Sequence, residues 1–216
     1  MPIPLPTDIA ALAGIALVLT AAVVRLLNIP ANAVRSGKAK WTFIVCLFCI
    51  WIPVGVGNLS LLAYVRGVVS DPSVTLVALA LLSLWQRFFS GGDIDACEKF
   101  VLNLSIVVVA AVLYSTALGW GDWDAYRAGW GSSGMWLALL ALCSIFWMFG
   151  FRLLPLLLGL AMLGWAVGWL ESTNLWDYLI DPWLAVAALF QLLIVAADRV
   201  RSCLKRATND GHSFLQ

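Results

Sequence analysis

Apolar residues are gathered into seven long runs, near residues 8–28, 42–63, 73–89, 100–118, 134–150, 152–171 and 179–197, separated by short polar stretches. Each run approaches the roughly 17–25 residues that a helix needs to cross a hydrocarbon layer of about 30 Å at 1.5 Å per residue. The pattern predicts an all-α polytopic membrane protein, a bundle of about seven transmembrane helices. Residues 1–201 are expected to form one transmembrane domain. The short polar segment 202–216 is expected to be a cytoplasmic tail that frays.

Composition agrees with this reading, since 62% of the 216 residues are hydrophobic and only 12% charged. A mean hydropathy of +0.95 lies far from soluble averages, where about 25% of residues carry charge. Lys and Arg then give an orientation, because cytoplasmic loops retain positive charge near span ends. Threading the seven runs puts Arg25, Arg35, Lys38, Lys40, Arg87, Lys99, Arg152, Arg199, Arg201, Lys205 and Arg206 on one side. Only Arg66 and Arg127 fall on the other, with Asp8, Asp71, Asp122, Asp124, Glu171, Asp177 and Asp181. The expected topology therefore has its N-terminus outside and its C-terminus cytoplasmic, with an acidic outer rim. A compact, Trp-rich chain with this bias fits a bacterial inner membrane. Residues 1–24 hold no Lys or Arg, so the first run is expected to stay as a span rather than act as a secretory leader.

The stretch from Met135 to Leu170 is broken only by Gly150-Phe151-Arg152 and Pro155, and it reads as either a tight helical hairpin or one long kinked helix. The hairpin keeps the basic C-terminal tail on the basic side, and it is the reading adopted.

Little cofactor or metal chemistry is available. Cys46 and Cys49 form a C-x-x-C, but both lie inside an expected span, and Cys97, Cys143 and Cys203 are scattered singly, so all five read as small apolar side chains. The single histidine, His212, rules out a paired-histidine haem or a histidine-based zinc site. No cofactor or metal is expected. The basic residues form no stripe, which argues against nucleic acid as a partner. Membrane lipids, and another membrane protein, are the expected partners.

Polar groups near the membrane are the candidates for function, because ionisable groups at depth are costly. Asn58, Ser60, Tyr64, Arg66 and Asp71 run from the outer half of the second span through an external turn, just after Pro53, Gly55 and Gly57. They read as a broken helix around a transport cavity, or as a kink with Asn58 bonded to a neighbouring helix and Arg66 reaching lipid phosphate. Asp71-Pro72 and Asp181-Pro182 each place an acid before a proline at a span start, as helix caps do. Asp122, Asp124 and Arg127 lie in an external aromatic loop, and Glu171 and Asp177 precede the last span. These acids suit either a ligand or acid–base site, or an interfacial collar in which Asn174 caps a short helix with Asp177 in its first turn. Gly164 and Gly168 form a G-x-x-x-G expected to pack against internal neighbours. Gln86, Asn103 and Gln191 are expected to bond between helices.

Three function classes follow. The first is a non-catalytic membrane component or assembly and partner subunit, the second a small-solute or lipid transporter or flippase. The third is a membrane enzyme acting on lipid or glycan at the outer face.

Overall fold

The computed structural model describes residues 6–27, 51–52, 60–89 and 92–213, with side chains between 7 and 202. Its described residues are all-helical, without strands. The helices are α1 (Pro6–Leu26), α2 (Leu61–Val69), α3 (Val74–Phe89), α4 (Ala96–Ala117), α5 (Ser133–Met148), α6 (Leu153–Ala166), α7 (Leu175–Leu179) and α8 (Pro182–Ser213), with a 3-10 turn at Ala125–Gly129. Three stretches are long and apolar enough to cross a membrane: Thr7–Leu26, Ala96–Ala117 and Pro182–Ser202. The apolar helices α3, α5 and α6 are shorter, at 16, 16 and 14 residues. At 1.5 Å per residue they reach only about 21–24 Å.

Helix starts and stops follow local chemistry. Gly150 adopts φ +84°, and the amide of Phe151 reaches back to the carbonyl of Phe146 at 3.0 Å, a Schellman-type ending that separates α5 from α6. The stretch 134–171 is therefore two helices. Arg152, at the N-cap of α6, has no acceptor in its side chain; Glu98, in the first turn of α4, supplies one from outside. Its Oε1 takes the amides of both Arg152 and Leu153 at 2.5 Å. Pro155 falls in the first turn of α6, where a missing N–H costs nothing.

Three expectations are corrected. Residue 60 does not lie within a continuous span ending at 63. Ser60 is extended (φ −71°, ψ 157°) and caps α2 through Ala63, so Tyr64 and Arg66 stand on a new nine-residue helix rather than in a turn. Apart from residues 51 and 52, the part of that expected span before Ser60, with Asn58, Pro53, Gly55, Gly57, Cys46 and Cys49, lies outside the described residues. Second, the expected frayed tail is helical to Ser213, for after Pro182 the segment contains no proline to end the helix. Third, Gln86 and Asn103 bond locally, to the carbonyls of Gly92 at 3.1 Å and Lys99 at 2.9 Å, as amide side chains beside a backbone carbonyl do.

Packing is through narrow seams. Leu102, Ile106 and Leu113 of α4 meet Leu153 and Leu157 of α6 and Leu184 and Ala188 of α8. Ile15 and Ala16 of α1 meet Leu62 of α2, which is completely buried. A Cβ on Gly164 would come within 3.0 Å of Val74, so this glycine sets the approach of α6 to α3, whereas Gly168, at φ +66°, ends α6 instead of packing. Outward faces remain apolar, with Leu104, Val108 and Val112 on α4 and Val186, Phe190 and Leu193 on α8 all exposed. Three spanning-length helices with apolar outer faces are compatible with membrane association.

Candidate functional site

Polar contacts between distant segments concentrate where α1, α3 and α8 begin and α2 and α6 end. Arg66, in the last turn of α2, is enclosed by three carboxylates. Its Nε donates to Asp71 Oδ1 at 2.6 Å and Nη1 to Asp8 Oδ1 at 2.5 Å, while Nη2 donates to Asp71 Oδ2 at 3.2 Å and Glu171 Oε1 at 3.0 Å. Four bonds occupy a guanidinium that has five N–H donors. The Arg66 guanidinium is held in its charged form above its ordinary range, first by Asp71 and then, against a desolvation cost, by Asp8 and Glu171. Taken by themselves, these four side chains carry a formal charge of −2. Glu171 is the most exposed member, at 58%.

The sequence pointed to Arg66, Asp71 and Glu171 but left out Asp8. The available signal was that Asp8 is the one acid at the outer end of the first apolar run. Two assignments change. Asp71 is not the cap of α3: its carboxylate turns back to Arg66, and Ser73 Oγ accepts the Leu76 amide instead at 3.1 Å. Arg66 does not reach outward for phosphate, because intramolecular carboxylates at 2.5–3.2 Å take its donors.

Asp181 does act as a cap, and for two helices at once. Oδ1 accepts the Leu184 amide of α8 at 2.8 Å, and Oδ2 accepts the Ser73 amide before α3 at 2.8 Å. Placing one buried carboxylate between two helix starts satisfies donors of both and faces the positive end of each dipole.

A second knot joins the 3-10 turn to α7. Tyr126 Oη lies 2.9 Å from both oxygens of Asp177, and Ser172 Oγ donates to Asp177 Oδ2 at 2.5 Å. Burial, then the Asp177 hydrogen bond, push the Tyr126 phenol pKa up. Asn174 is 1% exposed. Its Nδ2 donates to the Tyr126 carbonyl and its Oδ1 accepts the Trp176 amide, both at 3.0 Å, while Trp176 Nε1 donates to the Ala125 carbonyl at 3.0 Å. Gly129 is required beside it: a Cβ there would fall 1.8 Å from Asn174 Oδ1. Below, Tyr178 Oη sits 3.0 Å from the carbonyls of Leu170 and Ser172 and accepts the Leu170 amide at 3.1 Å. Burial is the largest cause raising its pKa. Sequence reading placed Asn174 and Asp177 correctly on a short helix but missed Tyr126, Ser172 and Tyr178 as their partners.

Asp124 caps the 3-10 turn through the Tyr126 amide at 2.9 Å. Asp122 and Arg127 are exposed and share a shallow cleft with Asp124 and Ser132, without an ion pair between them. Tyr64 lies on the exposed side of α2, and Asn58 is outside the described residues. Around these groups Trp120, Trp123, Trp130, Trp169 and Trp183 are exposed, as rings of a membrane–water interface are. The described residues contain no His, Cys, Asp and Glu grouping arranged to hold a metal ion.

No family model, curated protein or solved structure matches this chain.

Proposed function

We propose that the chain is a non-catalytic multi-pass component of a bacterial inner membrane, acting by packing against another membrane protein. In this reading it has seven spans, its N-terminus outside and its C-terminus cytoplasmic. The observation that carries it is the internal use of the outer polar groups: Arg66, Asp71, Asp177 and Asp181 are each spent joining one helix end to another. A reacting group needs a substrate-facing donor or acceptor, and these four direct theirs inward. Support for the topology comes from Arg66 meeting Asp71 and Glu171, and Asp181 meeting Ser73, at the starts of α3 and α8, while Glu98 meets Arg152 where α4 and α6 begin.

Transport is the second reading, favoured by the helix start at Ser60 within an expected span, opposite the middle of α1. The outer-face enzyme would rest on Asp122, Asp124 and Arg127, the candidates left facing an open cleft. One experiment separates the three. The tagged full chain is cross-linked in cells, and a defined partner should co-purify with wild type and with Asp122→Asn/Asp124→Asn alike. Loss of a cellular lipid or glycan product in that double variant would favour the enzyme. Cellular uptake that disappears on replacing Asn58, with no stable partner captured, would favour transport.

A further inference from the structure

An apolar groove of about 360 Å³ runs between α1, α3 and α6. Small side chains open it: Ala10 and Ala11 on α1, Ala78 on α3 and Gly164 on α6. From Val74 to Leu81 it follows α3 for about 10 Å, at 1.5 Å per residue, so its long axis lies along the helices. One end abuts the acidic cluster. Asp8 and Ala11 are three residues apart on one face of α1, Pro72 follows Asp71, and Leu170 precedes Glu171.

Its size and lining restrict the occupant. The volume falls in the roughly 300–1,000 Å³ range of small-molecule sites, whereas a helix about 10–12 Å across does not fit. An unbranched hydrocarbon chain satisfies an elongated apolar wall that opens toward the same medium as the exposed helix faces. At the mouth, the exposed carboxylate of Glu171 sets the preference for a head group. A head group whose phosphate has no ammonium beside it would bring a net anion to Asp8, Asp71 and Glu171, which already take four hydrogen bonds from Arg66. An ammonium would be attracted, with the exposed Glu171 as its nearest accessible carboxylate.

We propose that this groove binds one acyl chain of a bilayer lipid whose head group ends in an ammonium, held at Glu171. This goes beyond a packing role, since it assigns a ligand chemistry to the outer cluster. The test is native mass spectrometry of the full chain in detergent, offered phosphatidylethanolamine and phosphatidylglycerol of matched acyl chains. Wild type should retain phosphatidylethanolamine about fivefold better, the ratio one partly exposed charge contact supports. Glu171→Gln should bring that ratio toward one with only the small fall in melting temperature that loss of one exposed ion pair brings. Ala10→Phe, which fills the groove from a half-buried position, should lose both lipids. Should Ala10→Phe melt early, Leu163→Trp, at a groove-lining residue 60% exposed, serves in its place. Equal retention of the two lipids by wild type, or undiminished lipid on the filled groove, overturns the proposal. A lipid-free dimer that Ala10→Phe dissociates would give the groove to a second copy, and also overturns it.

Discussion

Arg66 and Asp71, five residues apart, meet through two hydrogen bonds across a single strained residue, Ser70, at φ 66° and ψ −172°. That backbone region is almost confined to glycine and costs about 1–3 kcal/mol for other residues. It ends α2 and returns the chain so that Asp71 faces Arg66. Ser70→Gly should therefore raise stability by about 1 kcal/mol after the greater entropy of glycine in the unfolded chain is subtracted. Ser70→Ala should change little, because it keeps the Cβ. Thermal unfolding in detergent decides it, and a loss on Ser70→Gly would mean the Ser70 side chain matters more than its backbone.

Removing the cation should be far worse than removing one anion. Arg66→Gln leaves Asp8, Asp71 and Glu171 facing one another, two of them largely shielded from solvent, and is expected to cost about 2–4 kcal/mol. Glu171→Gln removes a more exposed partner and should cost below about 1 kcal/mol. The same melting experiment ranks them, and equal effects would show that the cluster does not act as a unit around Arg66.

How much of this was readable from the chain depends on the range of each interaction. Apolar runs and local stops sufficed for an all-helical chain with spanning-length apolar helices and for the break at Gly150, because a helix end is decided by a few consecutive residues. Asn174 and Asp181 were legible as caps for the same reason. What was hidden is tertiary. Asp8 joins Arg66 across 58 positions, Asp177 joins Tyr126 across 51, and Glu98 caps a helix 54 positions away. Nothing in local spacing distinguishes such an acid from a solvated one. Asp71 shows the opposite error: its place before Pro72 fits a cap, yet a guanidinium within reach outcompetes a backbone amide for a carboxylate.

Tyr126 should make stability fall at alkaline pH. Its folded pKa is raised above the ordinary 10.0, so the stability it contributes is fully present below about pH 10. As pH rises further the unfolded phenol ionises first, and stability is lost until the folded phenol ionises as well. Tyr126→Phe should flatten part of that decline relative to wild type while lowering stability at pH 8, where the Asp177 contact is intact. Parallel pH profiles for the two proteins would refute the assignment.

Gly129→Ala should disrupt the knot from the opposite side. The added methyl would overlap Asn174 Oδ1 at 1.8 Å and Trp176 Cδ1 at 2.6 Å, so either the 3-10 turn or the start of α7 must move. A loss of at least about 3 kcal/mol is expected, more than for Asn174→Ala, which removes a cap worth about 1–2 kcal/mol. Trp fluorescence of the unfolding transition follows both. A mild Gly129→Ala would mean that this contact yields without cost.

Two tyrosines offer the same chemical change with opposite expected signs. Tyr178 Oη lies within 3.1 Å of three backbone groups and fixes the chain between α6 and α7, so Tyr178→Phe should cost about 1–2 kcal/mol. Tyr114, on α4, has a buried hydroxyl oxygen without a hydrogen-bond partner among the described residues. Such a group is desolvated without compensation, so Tyr114→Phe should leave stability unchanged or raise it by up to about 1 kcal/mol while the ring keeps its packing against the α4–α6–α8 seam. Melting temperatures of the two variants, measured side by side in one detergent, give the comparison. If Tyr114→Phe destabilises as much as Tyr178→Phe, its hydroxyl is satisfied by a group outside the described residues or by water, and a polar contact must be added to the middle of this seam.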